Sequence, residues 1–184
     1  ILNANSIFNV LNDKFVRRQA ITVEKAFEPS LPDGSRSGLE VMPFVVPGKR
    51  AWYLEGRQHP GTEDAEGDTL GLRIADKSSG TYFYHLAACA RITPGLVERI
   101  RGAPLVLFDG TVWRDDELIE AGLGQKTGQA MGHIAMSGAE GAIAALADLG
   151  IARKIFLHIN NSNPVLLHNS PERKAAEQAG WEVP

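Results

Sequence analysis

Cysteine is almost absent from this 184-residue chain, which contains only Cys89. A single cysteine excludes a disulfide within the chain and a zinc site built from several of its own thiolates. No apolar run approaches the roughly 20 residues that a membrane-spanning helix needs. The formal net charge is only −3, so no strong field favours nucleic acid or an anionic membrane surface. We therefore expect no nucleic-acid or membrane partner, and a cytoplasmic location, which a lone unpaired thiol fits.

The common catalytic signatures are missing too. The chain has no paired-histidine metal motif, no Gly-x-Ser-x-Gly nucleophile turn and no phosphate-binding glycine loop. Its composition, 43% hydrophobic and 22% charged, is ordinary for a globular protein. It starts at Ile1 and stops in GWEVP, a strand-like run, so we expect the natural protein to extend beyond both ends. Residues 1–184 are interpreted as a single domain.

The first half of the chain is predicted to be mainly β structure after one short helix. Alternating apolar and polar residues indicate half-buried strands, and Pro or Gly punctuates them. The polar, acidic stretch Glu55–Asp68 is predicted to be a loop. The predicted elements are the helix Asn5–Leu11 and the strands Gln19–Phe27, Leu39–Val46, Arg50–Leu54, Thr69–Ile74 and Thr81–Tyr84.

The second half alternates strands with helices. Three helices are predicted from N-terminal caps at Thr93, Ser137 and Ser170, and each of these helices ends at a glycine. The continuous apolar strands Leu105–Asp109 and Lys154–His158 are typical of a sheet that is buried on both faces. This order predicts an α/β fold, a layered sandwich of helices and sheet.

Three side chains with catalytic or metal-binding chemistry follow predicted strands or lie between them. Asp109 and His158 end two strands, and His133 lies in the glycine-rich segment Gly122–Gly138 that connects them. Because ligands bind at the carboxyl ends of strands in α/β sheets, we expect these three side chains to meet at one edge. Two histidines and a carboxylate suit a divalent metal ion, and they equally suit acid–base chemistry without a metal.

Each of the three also has a purely structural interpretation. Asp109 could cap the turn that follows it, since Asp–Gly–Thr runs are typical of turns. His133 could hold its loop through a hydrogen bond, and His158 could be a core histidine bonded to a carbonyl. Position at the rim of a sheet favours the functional interpretation of His158.

Other polar residues near these positions are candidates for binding a substrate. Asn160, Asn161 and Asn163 form an unusually amide-rich turn after the second strand, and we expect them to contact substrate. His85 follows an earlier strand and is a further candidate for lining the site. The remaining histidines, His59 and His168, are predicted to be solvated.

The order of several motifs resembles a known family. The runs QKTGQAMGHIAMSG, residues 125–138, and HINNSNPVLL, residues 158–167, are the most specific. Together with VPGKRAWYLEG, LFDGT, DDELI, IAALADLG and GWEV, they resemble the C-terminal part of the pyrroloquinoline quinone (PQQ) biosynthesis protein B family. The resemblance extends from about residue 5 to residue 183.

The resemblance implies the metallo-β-lactamase fold, an αββα sandwich of two similar halves, of which this chain holds mainly the second. The absent first half would carry further metal ligands and a cysteine cluster for a structural zinc. His158 matches the last metal-ligand histidine of the superfamily. His133 matches the histidine of the glycine–histidine loop in the RNase Z-like branch, and Asp109 matches the acidic residue of that branch.

Two departures from the superfamily pattern favour one metal ion over two. The middle histidine would fall near Pro47–Gly48 and the bridging aspartate near Tyr84–Ala88, and this chain has neither. The family resemblance implies iron-dependent hydroxylation of the tyrosine ring of a Glu–Tyr crosslinked precursor. His158 would bind the Fe²⁺, and His133 and Asp109 would be catalytic.

Two alternatives to this hydroxylase remain open. One is a non-enzymatic carrier that helps to move PQQ or its precursor to the periplasm, and the other is a metal-dependent hydrolase. The sequence also leaves open whether this chain alone binds metal. A homodimer would be one way to cover an exposed sheet edge.

Overall fold

A computed structural model describes residues 6–12, 14–16, 18–49 and 68–184. One six-stranded sheet organises this part of the chain. Its strands are β1 Leu39–Val45, β2 Leu70–Asp76, β3 Tyr82–Leu86, β4 Val106–Asp109, β5 Lys154–Leu157 and β6 Trp181–Glu182. The α-helices are α1 Pro94–Ile100, α2 Glu117–Glu120, α3 Gly128–Met131, α4 Ala142–Ala145 and α5 Pro171–Gln178, and Ser6–Val10 and Pro164–Leu166 are 3₁₀ helices.

The strands lie in the sheet in the same order as in the sequence. β1, β2 and β3 pair antiparallel, whereas β3, β4, β5 and β6 pair parallel. Parallel neighbours need a crossover between them, and α1 and α5 lie in two of these connections. The change to parallel pairing therefore falls where the sequence pattern changes from strands alone to alternating strands and helices.

Helices α1 and α5 begin and end where the sequence predicts. Thr93 Oγ1 accepts a hydrogen bond from the amide of Leu96 at 3.3 Å, and Ser170 Oγ accepts one from Arg173 at 3.0 Å. Each cap is followed by proline at the first helical position, where the missing N–H costs nothing.

The hydrophobic core lies on one face of the sheet. Val106 and Phe108 on β4 and Phe156 on β5 point into it and are completely buried. The Trp181 ring on β6 stacks on Phe156 with a centroid distance of 3.8 Å and meets Phe108 edge-on at 6.2 Å. Burial of a tryptophan beside two other aromatic rings makes this end of the core a major source of stability.

The opposite face of the sheet is also apolar but only partly buried. Leu72 pairs with His85 and Ile74 pairs with Phe83, so these four side chains share that face. Ile155, Leu157 and Leu107 continue it across β4 and β5. A sheet that is apolar on both faces is typical of one layer between two others. The second face therefore suits the packing of another sheet, as a half-sandwich requires.

Two predicted elements were wrong. Gln19–Phe27 is not a strand: only Phe27 bridges to Val41, because Glu24 adopts a positive φ of 58° that interrupts an extended ladder. The helix expected from Ser137 begins instead at Ala142, because Ser137 Oγ donates to the carbonyl of Trp113 at 2.7 Å and does not cap. The predicted strand Arg50–Leu54, most of the predicted loop Glu55–Asp68, and His59 lie outside the described residues.

Across the described ranges, the helices are all too short or too polar to cross a membrane.

We expect Trp181→Ala in the intact protein to lower the free energy of unfolding by about 3–5 kcal/mol, because it leaves a cavity beside Phe156. Leu167→Ala is the matched control, since that side chain is 66% exposed, and we expect a change within about 0.5 kcal/mol. Denaturant unfolding monitored by circular dichroism measures both. Equal losses in the two variants would contradict this description of the core.

Candidate metal centre

Adjacent parallel strands bring Asp109 and His158 to the same edge of the sheet. Asp109 is the last residue of β4 and pairs with Leu157, the last residue of β5, so His158 follows immediately. The amide of Gly110 donates to the carbonyl of Leu157 at 2.8 Å and fixes the two strand ends together. A Cβ on Gly110 would lie 3.0 Å from Phe156 Cβ, so a larger residue would push these strand ends apart.

The backbone at His158 turns sharply out of β5. Its φ of 55° lies in the left-handed region, which is uncommon for a residue other than glycine. Strain of this kind is of order 1–3 kcal/mol and clusters at functional sites. The turn directs both the His158 ring and its carbonyl towards Thr111, whose own carbonyl accepts from the amide of Asn160 at 3.2 Å.

A glycine places His133 above the same edge. Gly132 ends α3 with a φ of 96°, and a Cβ there would lie 2.9 Å from Lys49 Cβ. The amide of His133 then donates to the carbonyl of Gly128 at 2.9 Å, and the next amide, Ile134, donates to Cys89 at 2.6 Å. The second bond holds the loop against the segment after β3, and the His133 side chain is 14% exposed.

Asp109 is completely buried and accepts four hydrogen bonds. Its Oδ1 accepts from the amide of Thr111 at 3.1 Å and from the hydroxyl of the same residue at 2.7 Å. Its Oδ2 accepts from the amide of Cys89 at 3.0 Å and from His133 Nδ1 at 2.8 Å. A carboxylate has about four acceptor positions, so these donors fill it. Asp109 is therefore suited to orient its neighbours, and a metal ion would have to displace one of them to bind it.

The two histidine rings lie side by side at this edge. Their centroids are 5.2 Å apart with an interplanar angle of 26°, and ligand atoms of Asp109, His133 and His158 all lie within 4.8 Å of one another. The convergence predicted from the sequence is thus confirmed. Both Nδ1 atoms contact protein groups, so each ring keeps Nε2 for another partner. Imidazole nitrogen whose other ring atom is bonded to a carboxylate or hydroxyl is a usual divalent-metal ligand, so the residues fit a metal ion.

Sequence reasoning missed Thr111, whose hydroxyl contacts both histidines. The position of Thr111 directly after Asp109–Gly110 was the one indication in the sequence. An Asp–Gly–Thr run is equally typical of an ordinary turn.

The three asparagines have different surroundings. Asn163 is only 2% exposed: its amide donates to the carbonyl of Gly110 at 3.1 Å, and its Oδ1 caps the following 3₁₀ helix. The substrate contact expected of Asn163 stays a prediction, and its amide is already bonded within the protein. Asn160 is half-buried and accepts from the amide of Ser162 at 3.3 Å, and Asn161 is exposed. A substrate could reach Asn161 most easily.

His85 lies apart from the three-residue cluster. It is the fourth residue of β3 and pairs with Leu107, two residues before Asp109, on the face of the sheet opposite the core. Its expected role in substrate binding stays a prediction; the residue lies on the second, partly buried apolar face of the sheet.

Comparisons with known proteins agree on one superfamily. The family model described as a β-lactamase superfamily domain matches residues 1–159. Coenzyme PQQ synthesis protein B of Bradyrhizobium diazoefficiens is 68% identical over 184 residues, which is all of this chain and 60% of that protein. The protein of the same name in Gluconacetobacter diazotrophicus is 50% identical over 183 residues and 59% of its length. The chain thus spans about 60% of the length of these curated relatives.

Solved structures show the same fold. The crystal structure of Zn²⁺-bound PqqB from Methylobacterium extorquens has a TM-score of 0.84 and 43% identity, and the match covers 100% of this chain and 58% of that one. The metallo-β-lactamase fold protein YhfI of Bacillus subtilis has a TM-score of 0.54 at 13% identity, covering 94% of this chain and 56% of its own. The second likeness shows the fold alone.

We expect Asp109→Asn to lower the free energy of unfolding of the intact protein by about 1–3 kcal/mol, because the amide NH₂ would face a donor in a buried site. Asp33→Asn is the control, since that carboxylate caps an exposed turn at Ser35 and an amide oxygen can replace it. Urea unfolding of both variants measures the difference. An Asp109→Asn protein as stable as the control would show that the four donors do not require a carboxylate.

Cys89 should be inert in the folded protein. Burial raises the pKa of its thiol to about 12, so the reactive thiolate is roughly 1,000-fold rarer than for an ordinary thiol. We expect iodoacetamide at pH 8 to modify the peptide that contains Cys89 only after denaturation, as read by mass spectrometry. Modification of native protein at the rate of the denatured chain would contradict the burial of this side chain.

Proposed function

This chain belongs to the β-lactamase superfamily, and from that premise we propose that it acts in pyrroloquinoline quinone synthesis, as part of an iron-dependent hydroxylase. The resemblance inferred from the motifs is confirmed by the high identity of the relatives. The expected fold, mainly the second half of a metallo-β-lactamase-like αββα sandwich, is confirmed as well. The substrate we propose is the tyrosine ring of a Glu–Tyr crosslinked, peptide-derived precursor, converted in the cytoplasm.

The observation that supports this proposal most is the arrangement of His158 beside the Asp109–His133 pair. His158 is exposed at the sheet edge, so its ring can reach a bound metal ion and a substrate. Ferrous iron bound there would supply the activation of O₂ that hydroxylation of an aromatic ring needs. The protein's contribution is to hold His158 in one orientation.

His133 would hold and move a proton beside this metal site. Its Nδ1 donates to Asp109 Oδ2 at 2.8 Å, which leaves Nε2 as the basic ring atom. A buried carboxylate behind the ring would stabilise the imidazolium formed when Nε2 takes a proton from the substrate phenol. Asp109 itself would stay bonded to its other three donors and keep the ring in place.

A single metal ion is favoured by the residues around the cluster. Of all groups of three or more potential ligands in the part of the chain that the structure describes, only Asp109, His133 and His158 qualify. Pro47–Gly48 lacks the superfamily's middle histidine, and the run Tyr84–Ala88 lacks its bridging aspartate, so the ligands expected for a second ion are missing at both places. One neighbour binds Zn²⁺, and imidazole ligands suit zinc and iron alike, so the native metal must be measured on the intact protein.

We expect His158→Ala in the intact protein to lower iron affinity by about 10–100-fold or more and to abolish hydroxylation of the precursor. His168→Ala is the control, because that imidazole is exposed and lies outside the cluster. Metal content by elemental analysis and product by mass spectrometry measure the two effects. Retention of both metal and activity in His158→Ala would overturn the assignment.

The same assay separates the two rival functions. Tight binding of the quinone without turnover, in aerobic iron-loaded protein, would instead indicate a carrier for transport. Two zinc ions per protein together with phosphodiester or lactam hydrolysis would indicate a hydrolase.

A further inference from the structure

Thr111 is the shared hydrogen-bond partner of the whole cluster. It lies two residues after β4 and is 6% exposed. Its Oγ1 lies 2.7 Å from Asp109 Oδ1, 2.8 Å from His158 Nδ1 and 3.1 Å from His133 Nδ1. The carbonyl oxygen of His158 is a fourth neighbour at 3.1 Å. One hydroxyl therefore contacts all three candidate functional residues.

A hydroxyl carries one proton, and this limits what Thr111 can do. It can donate once and accept twice. The carboxylate of Asp109 and the carbonyl of His158 can only accept, and the carboxylate is both nearer and charged, which gives the stronger bond. The Thr111 proton therefore points to Asp109. Both ring nitrogens near Oγ1 then face the lone pairs of the hydroxyl, so each must bring its own proton to make a bond.

We propose that Thr111 is the positioning residue that fixes the tautomer of His158, with Nδ1 protonated and Nε2 free. His133 Nδ1 has two acceptors, Asp109 Oδ2 and the hydroxyl, so the carboxylate alone would hold its tautomer. In the part of the chain that the structure describes, the hydroxyl of Thr111 is the only side-chain group that bonds to His158 Nδ1. The tautomer of His158 thus depends on one hydroxyl.

The consequence for the site is that both Nε2 atoms carry a lone pair and no proton. The neutral histidine side chain in water favours the opposite tautomer, with the proton on Nε2. Without the hydroxyl, His158 would therefore change tautomer, and its Nε2 would no longer be ready for a metal ion. The tautomers follow from the contacts alone, and the inference rests on the proposed function only in that Nε2 is where the metal binds.

The chain offers a closely matched pair of variants. Thr111→Val keeps the shape and removes only the hydroxyl, whereas Thr111→Ser keeps the hydroxyl and removes a methyl group. The backbone contacts of this residue survive both changes: its amide donates to Asp109 Oδ1 at 3.1 Å, and its carbonyl accepts from Asn160 at 3.2 Å. A merely structural role would not distinguish the two variants by tautomer.

Histidine ¹⁵N chemical shifts of the intact, metal-free protein test the inference, at a pH where imidazole is neutral. We expect His158 and His133 of the unaltered protein and of Thr111→Ser to carry the proton on Nδ1. In Thr111→Val, His158 should move mainly to the Nε2–H form while His133 keeps its tautomer. The affinity for Zn²⁺, used as the probe ion, should fall by about 10–100-fold in Thr111→Val alone.

Two outcomes would overturn the inference. One is an Nε2–H tautomer of His158 in the unaltered protein, and this measurement does not depend on whether any variant folds. The other is a Thr111→Val protein whose His158 shifts match those of Thr111→Ser. Because neither reading uses hydroxylation, absence of hydroxylase activity with these tautomers intact would count against the proposed function and leave the role of Thr111 standing.

Discussion

The site depends on one buried carboxylate. Asp109 is 0% exposed and would be costly to bury without partners, since an unpaired charge in a protein interior loses its hydration. Its four hydrogen bonds offset that cost, and together they fix three parts of the chain: the turn after β4, the segment after β3 and the loop that carries His133. The groups that donate hydrogen bonds to the buried Asp109 carboxylate are therefore held in the arrangement that the site requires. The same bonds make the carboxylate an orienting group for the imidazoles.

The sheet explains why these groups meet. Parallel pairing of β4 with β5 brings two strand ends to one edge, and the left-handed turn at His158 directs its ring across the gap. The second apolar face of the same sheet carries His85 away from the strand ends. This face is apolar and only partly buried, and the chain spans about 60% of the length of the curated relatives.

Local signals in the sequence were enough for much of this. Caps at Thr93 and Ser170 set two helices correctly, because a cap and a following proline act within one turn. Strand ends located Asp109 and His158. The remaining features depend on long-range contacts and could not be predicted. Ser137 bonds to Trp113, and the hydroxyl of Thr111 has partners 22 and 47 residues away. No local pattern records such distances. The burial of Asn163 is likewise a tertiary property that the local sequence does not indicate.

In this site, Asp109 is proposed to orient the imidazoles, and His158 is proposed to bind the metal ion. A high-resolution crystal structure of the intact, iron-loaded protein tests this proposal most directly. The account predicts metal bonded to the Nε2 atom of His158, with all four hydrogen bonds of Asp109 retained. A metal–oxygen bond to Asp109 in place of one of those hydrogen bonds, or a metal site remote from His158, would contradict it.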